Sequence, residues 1–136
     1  MNPTTYAFQL AALAQLIATA GPLHTAKVIL FTNVGLVPNR NTKLTDLTQP
    51  TFTGYLPVSV ATWGTPYIAQ DNNVHVQGGE VQFQPTDATT PTTVTGWALT
   101  DTGATQLLGC QLFLTPVSLP DAEHACVVLV DYGYGD

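Results

Sequence analysis

The spacing of apolar residues changes at Ala26, and this change limits the available folds more than any other feature of the chain. Before it, residues 6–20 (YAFQLAALAQLIATA) carry apolar side chains at helical spacing. After it, short apolar or alternating runs are separated by Gly, Pro, Asn and Asp, a pattern typical of all-β proteins. The sequence therefore predicts one N-terminal helix followed by a domain of strands.

Seven or eight strands are expected after the helix, in a mainly β antiparallel β-sandwich or flattened barrel. The run AKVILFT (26–32) is typical of a central strand. Pro57 places the strand that follows it at an edge or a bulge. A hairpin is expected around residues 71–73, with Gly78-Gly79 as a bulge or a second turn. The last strands are expected in VTGWALT, TQLLGCQLFL and CVVLVDY.

The length of 136 residues fits a single domain with one core. We expect a helix over residues 1–21, a β-sandwich over 26–132 and a tail over 133–136. Residues 34–51, 85–93 and 115–124 are rich in turn residues and are expected to form loops.

The expected helix has well-defined ends. Asn2 can cap it, Pro3 suits its first position, and Gly21 is expected to end it in a left-handed conformation before Pro22. A signal peptide is the alternative for this segment, although MNPTT carries no Lys or Arg and two Gln residues interrupt the apolar run. The segment is too short and too polar to span a bilayer.

One stripe of the expected helix is apolar, and we expect it to pack onto the domain or onto a neighbouring subunit. Deletion of residues 1–20 should therefore abolish folding or assembly, which circular dichroism and sedimentation would show. A soluble, fully incorporated deletion variant would contradict this expectation. The stripe consists of Tyr6, Leu10, Leu13, Leu16 and Ile17.

Charged residues make up only 9% of the chain, and the net charge is −6 with no basic cluster. Nucleic acids and anionic membranes are therefore unsuitable partners, because binding to either depends on Lys and Arg. With 22 Thr and two Ser, neutral hydroxyl groups replace charges on the surface. A charge-poor surface is cheap to bury in a subunit contact, so we expect a homo-oligomer.

Catalytic and metal-binding motifs are absent from the sequence. It has no GxSxG, GxxxxGK[ST] or GxGxxG motif, and we expect no enzyme activity and no cofactor. Asp121, Glu123 and His124 share one loop, but ligands this close in sequence cannot all point at one ion without unusual backbone. We expect a solvated loop there and no metal site.

The two cysteines allow two interpretations. Cys110 and Cys126 are expected to be buried, reduced thiols. If residues 105–114 and 125–132 formed a hairpin, the two side chains could also meet across it. The sequence does not decide between these arrangements.

The aromatic residues fall into three groups. Trp97 lies in an apolar run and is expected in the core. Trp63 and Tyr67 flank Gly64 and Pro66 and are expected to be exposed, where they could contact a ligand. Tyr132 and Tyr134 belong to the YGYGD tail, which could dock onto another chain or be disordered; with the helix stripe, they complete the interface candidates.

Three segments in order carry a resemblance to a known family: VILFTN, then TKLTDLTQPTFTGY, then GWALTDTGATQLLGCQLFLTPVSLP. The chain resembles small virion structural proteins of tailed bacteriophages and prophages, which share the patterns L-x-D-L-T-x-x-T-F-x-G-Y, G-[WY]-x-L-T-D and F-x-x-P-V. The resemblance covers about residues 7 to 130. Cys110 and Cys126 depart from the pattern, and His124 stands where a Gly-Asp turn is common. The resemblance implies no catalytic residue.

The leading hypothesis is a phage capsid decoration or minor capsid protein, assembled in the host cytoplasm, that stabilises the head through repeated contacts with the major capsid protein. The helix stripe, the loop 34–51 and the tail are expected to make these contacts, and the loops 85–93 and 115–124 to face solvent. The alternative is a receptor- or glycan-binding module of a phage fibre or tail that uses Trp63 and Tyr67.

Overall fold

The computed structural model of the chain describes residues 3–18, 21–87 and 91–133. Within them it contains one α-helix and seven strands in two antiparallel sheets, as the sequence predicted. The two sheets pack face to face as a sandwich, so the predicted fold class is confirmed. The elements are α1 (Pro3–Ile17), β1 (Lys27–Phe31), β2 (Val58–Ser59), β3 (Tyr67–Ile68), β4 (Val74–Phe83), β5 (Thr92–Thr100), β6 (Leu107–Leu119) and β7 (Cys126–Gly133), with a short 3₁₀ helix at Leu44–Asp46.

The order of strands is β2-β1-β5-β6 in one sheet and β3-β4-β7 in the other. Strand β1 is therefore central and β2, which follows Pro57, is at an edge, as expected. Strands β3 and β4 form the predicted hairpin. The pairing of β4 with β7 shifts its register between Gln77 and Glu80, so Gly78-Gly79 is a bulge.

The expected loop over residues 115–124 is wrong for its first half. Strand β6 continues to Leu119, because Val117, Ser118 and Leu119 pair with the start of β5. Pro116 lies where this pairing is irregular, and β6 is an edge strand, so the missing N–H group of the proline breaks no ladder.

The main core lies between the sheets. Strands β1, β4, β5 and β7 supply most of its members, and Trp97 of β5 is among them, as expected. The buried residues of this cluster are Leu23, Ala26, Val28, Leu30, Phe52, Val60, Val81, Phe83, Val94, Trp97, Leu99, Leu119, Cys126, Val128 and Val130.

A second cluster lies on the opposite face of the larger sheet. Ile29, Phe31 and Ala98 point outward there, and the loop after β1 covers them with Leu36, Leu44 and Leu47. The side chain of Asn33 holds this loop in place: its Oδ1 accepts from the Thr48 N–H at 2.8 Å, and its Nδ2 donates to the Asp46 carbonyl at 2.9 Å. Residues 34–51 thus form a loop, as expected, and part of this loop packs on the outer face of the larger sheet.

Helix α1 packs against its own chain. Leu13 is completely buried against Val74 and Val76 of β4, and the rest of the predicted stripe surrounds this contact. The Tyr6 hydroxyl donates to the Asn72 carbonyl at 3.1 Å, which ties the start of the helix to the β3–β4 turn. Phe8, on the opposite face, is 68% exposed.

The expected left-handed conformation of Gly21 is wrong, since its φ is not positive. The chain instead turns back so tightly that a Cβ at Gly21 would collide with the carbonyl groups of Gln15 and Leu16. Glycine is required there for space. The predicted cap, Asn2, lies outside the described residues.

We predict that Leu13→Ala lowers the free energy of unfolding by about 3 kcal/mol, because it leaves a cavity between the helix and β4. Phe8→Ala on the exposed face of the same helix is the matched control and should change it by less than about 0.5 kcal/mol. Urea unfolding of both variants measures the difference. Equal effects would mean that the helix does not dock as described.

Candidate functional site

The interface candidates of the helix pack against their own chain. Tyr6, Leu10, Leu13 and Ile17 all contribute to the cluster that joins α1 to β4. Leu13 is buried by this contact, which agrees with packing onto the domain. Tyr6, Leu10 and Ile17 are only partly buried, so their contact with a neighbouring subunit stays a prediction. Tyr132 also packs against this cluster, and Tyr134 lies outside the described residues.

Trp63 and Tyr67 differ in exposure. The Trp63 ring packs against the core, and its indole N–H donates to the Leu23 carbonyl at 2.7 Å. Trp63 is therefore partly buried rather than exposed as expected, and its contact with a ligand stays a prediction. Tyr67 is 37% exposed, as expected, with its ring centroid 6.2 Å from that of His75.

The two thiols cannot meet across a hairpin, because β6 and β7 belong to different sheets. Cys126 lies in the main core and Cys110 packs against the outer cluster, and both are free. Burial raises the pKa of each thiol to about 11. Since the thiolate is the reactive form, neither side chain is suited to nucleophilic chemistry near neutral pH.

The loop after β6 is held by its own hydrogen bonds. The Oδ1 of Asp121 accepts from the Glu123 N–H at 2.9 Å and lies 2.7 Å from the His124 Nδ1. The contact with His124 lowers the pKa of Asp121 most, and the hydrogen bond from the Glu123 N–H lowers it further. Across the described ranges, no group of three or more His, Cys, Asp and Glu side chains could hold a metal ion.

A cleft of about 610 Å³ opens between the first half of β6 and the end of β7. One wall is formed by residues 107–111 and the other by residues 131–133, and Arg40 reaches it from the loop after β1. Asp71 and His75 close the end formed by the β3–β4 hairpin. The cleft therefore combines apolar and polar wall residues with a small group of ionisable side chains.

These ionisable side chains form one hydrogen-bonded cluster, the Asp71–His75–Asp131 cluster. The Nε2 of His75 lies 2.9 Å from Oδ2 of Asp71, and its Nδ1 lies 3.1 Å from Oδ2 of Asp131. The imidazole side chain is only 10% exposed. Sequence inspection missed this cluster, since His75 and Asp131 are 56 positions apart and meet only through the register of β4 and β7.

The two edge strands beside the cleft expose apolar side chains. Leu112 and Leu114 of β6 point away from the main core, and Val127 and Leu129 of β7 do so on the other sheet; Leu114 is fully exposed and Leu129 is 56% exposed. No residue from Leu107 to Pro120 carries a charge. We call these four residues, two on the outer face of each sheet, the uncharged edge surface.

Comparisons of the chain with protein-family models, with curated proteins and with solved structures gave no match. Within the part of the chain that the structure describes, no helix has the length and apolar character needed to cross a membrane. The function is therefore argued from the site itself.

Proposed function

We propose that the chain is a structural protein of a phage virion, a capsid decoration or minor capsid protein that assembles through repeated subunit contacts. The observation that carries this proposal is the uncharged edge surface, at the edge strands of both sheets. The resemblance to virion structural proteins is the reason for placing these contacts in a virion, with the major capsid protein as the partner.

The edge strands supply two features that an assembly contact needs, a free strand edge and exposed apolar area. Each is the last strand of its sheet among the described residues, so its outer edge can accept another strand. Beside them, Leu112, Leu114, Val127 and Leu129 offer apolar area. Edge strands of proteins that stay monomeric usually carry lysine or inward-pointing charges that prevent such pairing, and β6 has none. Burying this surface desolvates few charges, so a modest contact repeated by symmetry is favourable.

The segments that carry the resemblance lie together in the larger sheet. VILFTN supplies β1, the second segment supplies Leu44 and Leu47 over the outer cluster, and the third forms β5 and β6. Most of the shared residues thus account for the fold, and the exposed leucines in CQLFLTPV account for the proposed contact.

The proposal is tested by measuring the solution mass by light scattering, followed by cosedimentation with empty phage heads. We expect a closed oligomer that sediments with heads. A stable monomer that ignores heads at all accessible concentrations would overturn the proposal.

Charge introduced into the uncharged edge surface should weaken assembly without unfolding the protein. We predict that Leu114→Lys and Leu129→Lys each raise the dissociation constant of the oligomer, or of its complex with heads, by about tenfold or more. Leu56→Lys is the matched control, since Leu56 is also an exposed leucine but lies next to β2. Analytical ultracentrifugation compares the three variants, and an equal effect of Leu56→Lys would contradict the assignment.

A receptor- or glycan-binding module is the second candidate, and one observation favours it: Tyr67 is exposed and lies against His75, which lines the cleft. An aromatic face beside polar side chains is suited to sugars. For such a module, Tyr67→Ala should lower affinity for host-surface glycans at least fivefold with an unchanged solution mass. Trp63→Ala is unsuitable as the test, because it would also remove the hydrogen bond to Leu23 and core contacts.

A further inference from the structure

We propose that the Asp71–His75–Asp131 cluster is a proton-controlled staple, which ties the β3–β4 turn to the end of β7 when the imidazole is doubly protonated. The inference rests on the geometry of the cluster and is independent of the proposed function.

The protonation state follows from the contacts of the two ring nitrogens. Each nitrogen lies within hydrogen-bond distance of a carboxylate oxygen, and an ionised carboxylate can only accept. A neutral imidazole has one N–H group, so one of its nitrogens would present a lone pair to a carboxylate lone pair. Only the imidazolium form donates to both Asp71 and Asp131.

The backbone holds both carboxylates in position. The Oδ1 of Asp71 accepts from the Asn73 N–H at 2.9 Å, which leaves Oδ2 directed at His75. On the other side, His75 stands opposite Gly133 in the β4–β7 pairing. Since Gly133 has no side chain, the imidazole can lean toward Asp131, its diagonal neighbour. The cluster thus joins two elements that are distant in sequence.

Asp131 increases the dependence of the cluster on the positive charge. Its Oδ1 is buried and has no hydrogen-bond partner. A buried carboxylate oxygen without a donor is costly, so the carboxylate relies on the imidazolium bonded to its other oxygen. Loss of the proton from His75 would leave two carboxylates around a neutral ring.

Three other groups face the cluster from the elements packed around it. Tyr67 of β3 contributes a neutral phenol, whose pKa is raised by desolvation and by the charges of Asp131 and Asp71. Arg40, a cationic side chain, lines the same cleft from the loop after β1. Helix α1 contributes the Tyr6 hydroxyl to the same turn, and its residues carry no charge.

The sign of the pH dependence follows from proton uptake. In the unfolded chain His75 loses its second proton near pH 6.5, whereas the folded cluster needs that proton. The stabilisation is therefore fully present below that pH and is lost as the pH rises and the folded cluster releases the proton. On the acid side it persists until Asp71 is protonated, and the hydrogen bonds from Asn73 and His75 hold the pKa of Asp71 below its usual value.

The first test is the midpoint of thermal unfolding at pH 5.5, 7 and 8.5. For the wild-type chain we expect a decrease of about 4 °C from the lowest to the highest pH. Asp131→Asn should flatten this dependence, because an amide can either accept from a ring N–H or donate to a bare ring nitrogen. His24→Gln, at an exposed histidine, is the matched control and should keep the wild-type slope. A wild-type slope in Asp131→Asn would overturn the staple.

The second test is nitrogen NMR of the histidine side chains, which does not depend on any variant folding. Near pH 6 we expect both ring nitrogens of His75 to be protonated, and the amide signals of Asn73 and Gly133 to shift with the same midpoint as the ring. A neutral His75 ring at that pH would overturn the proposal. So would a shift confined to Asn73, because β7 would then not be tied to the turn.

Discussion

Strand β1 buries apolar side chains on both of its faces, and the rest of the fold has to supply a cover for each. Val28 and Leu30 face the second sheet, whereas Ile29 and Phe31 face the other way. In a simple sandwich each sheet has one face exposed to solvent, whereas a strand that is apolar on both faces is typical of a sheet that is covered on both sides. Here the loop after β1 folds back over the outer face of the larger sheet and covers it. This explains why a segment so rich in turn residues also carries Leu36, Leu44 and Leu47 at intervals.

The start of β4 explains the helix. Val74 and Val76 are buried there in a cluster to which no strand of the larger sheet contributes. Helix α1 fills this place with Leu13. The apolar stripe of the helix was visible in the sequence, but the surface that it packs against was not. Periodicity shows that a helix has an apolar face, and it does not show whether that face packs on the same chain or on a neighbour.

Local patterns in the sequence were sufficient for the fold class, the central strand and the hairpin, and they left Gly78-Gly79 as a bulge or a second turn until the pairing of β4 with β7 decided for the bulge. The errors came from interactions between distant residues. Trp63 is flanked by turn residues, yet its indole reaches a carbonyl 40 positions away. Residues 115–124 were expected to form a loop, yet the start of β5 holds the chain extended as far as Leu119. The Asp71–His75–Asp131 cluster required the register of β4 and β7, which no single segment encodes.

The distribution of charge connects the uncharged edge surface with the cluster beside it. A chain with this few charges can leave apolar side chains exposed on its edge strands, because neutral Thr side chains take the place of Lys and Glu over much of the surface. Two of its carboxylates, however, converge on a single imidazole at the end of the same edge strand, β7. The imidazole between them is only 10% exposed, and electrostatic interactions are stronger where water is scarce. Loss of one proton from His75 would therefore weaken the proposed connection between the β3–β4 turn and the β7 edge strand.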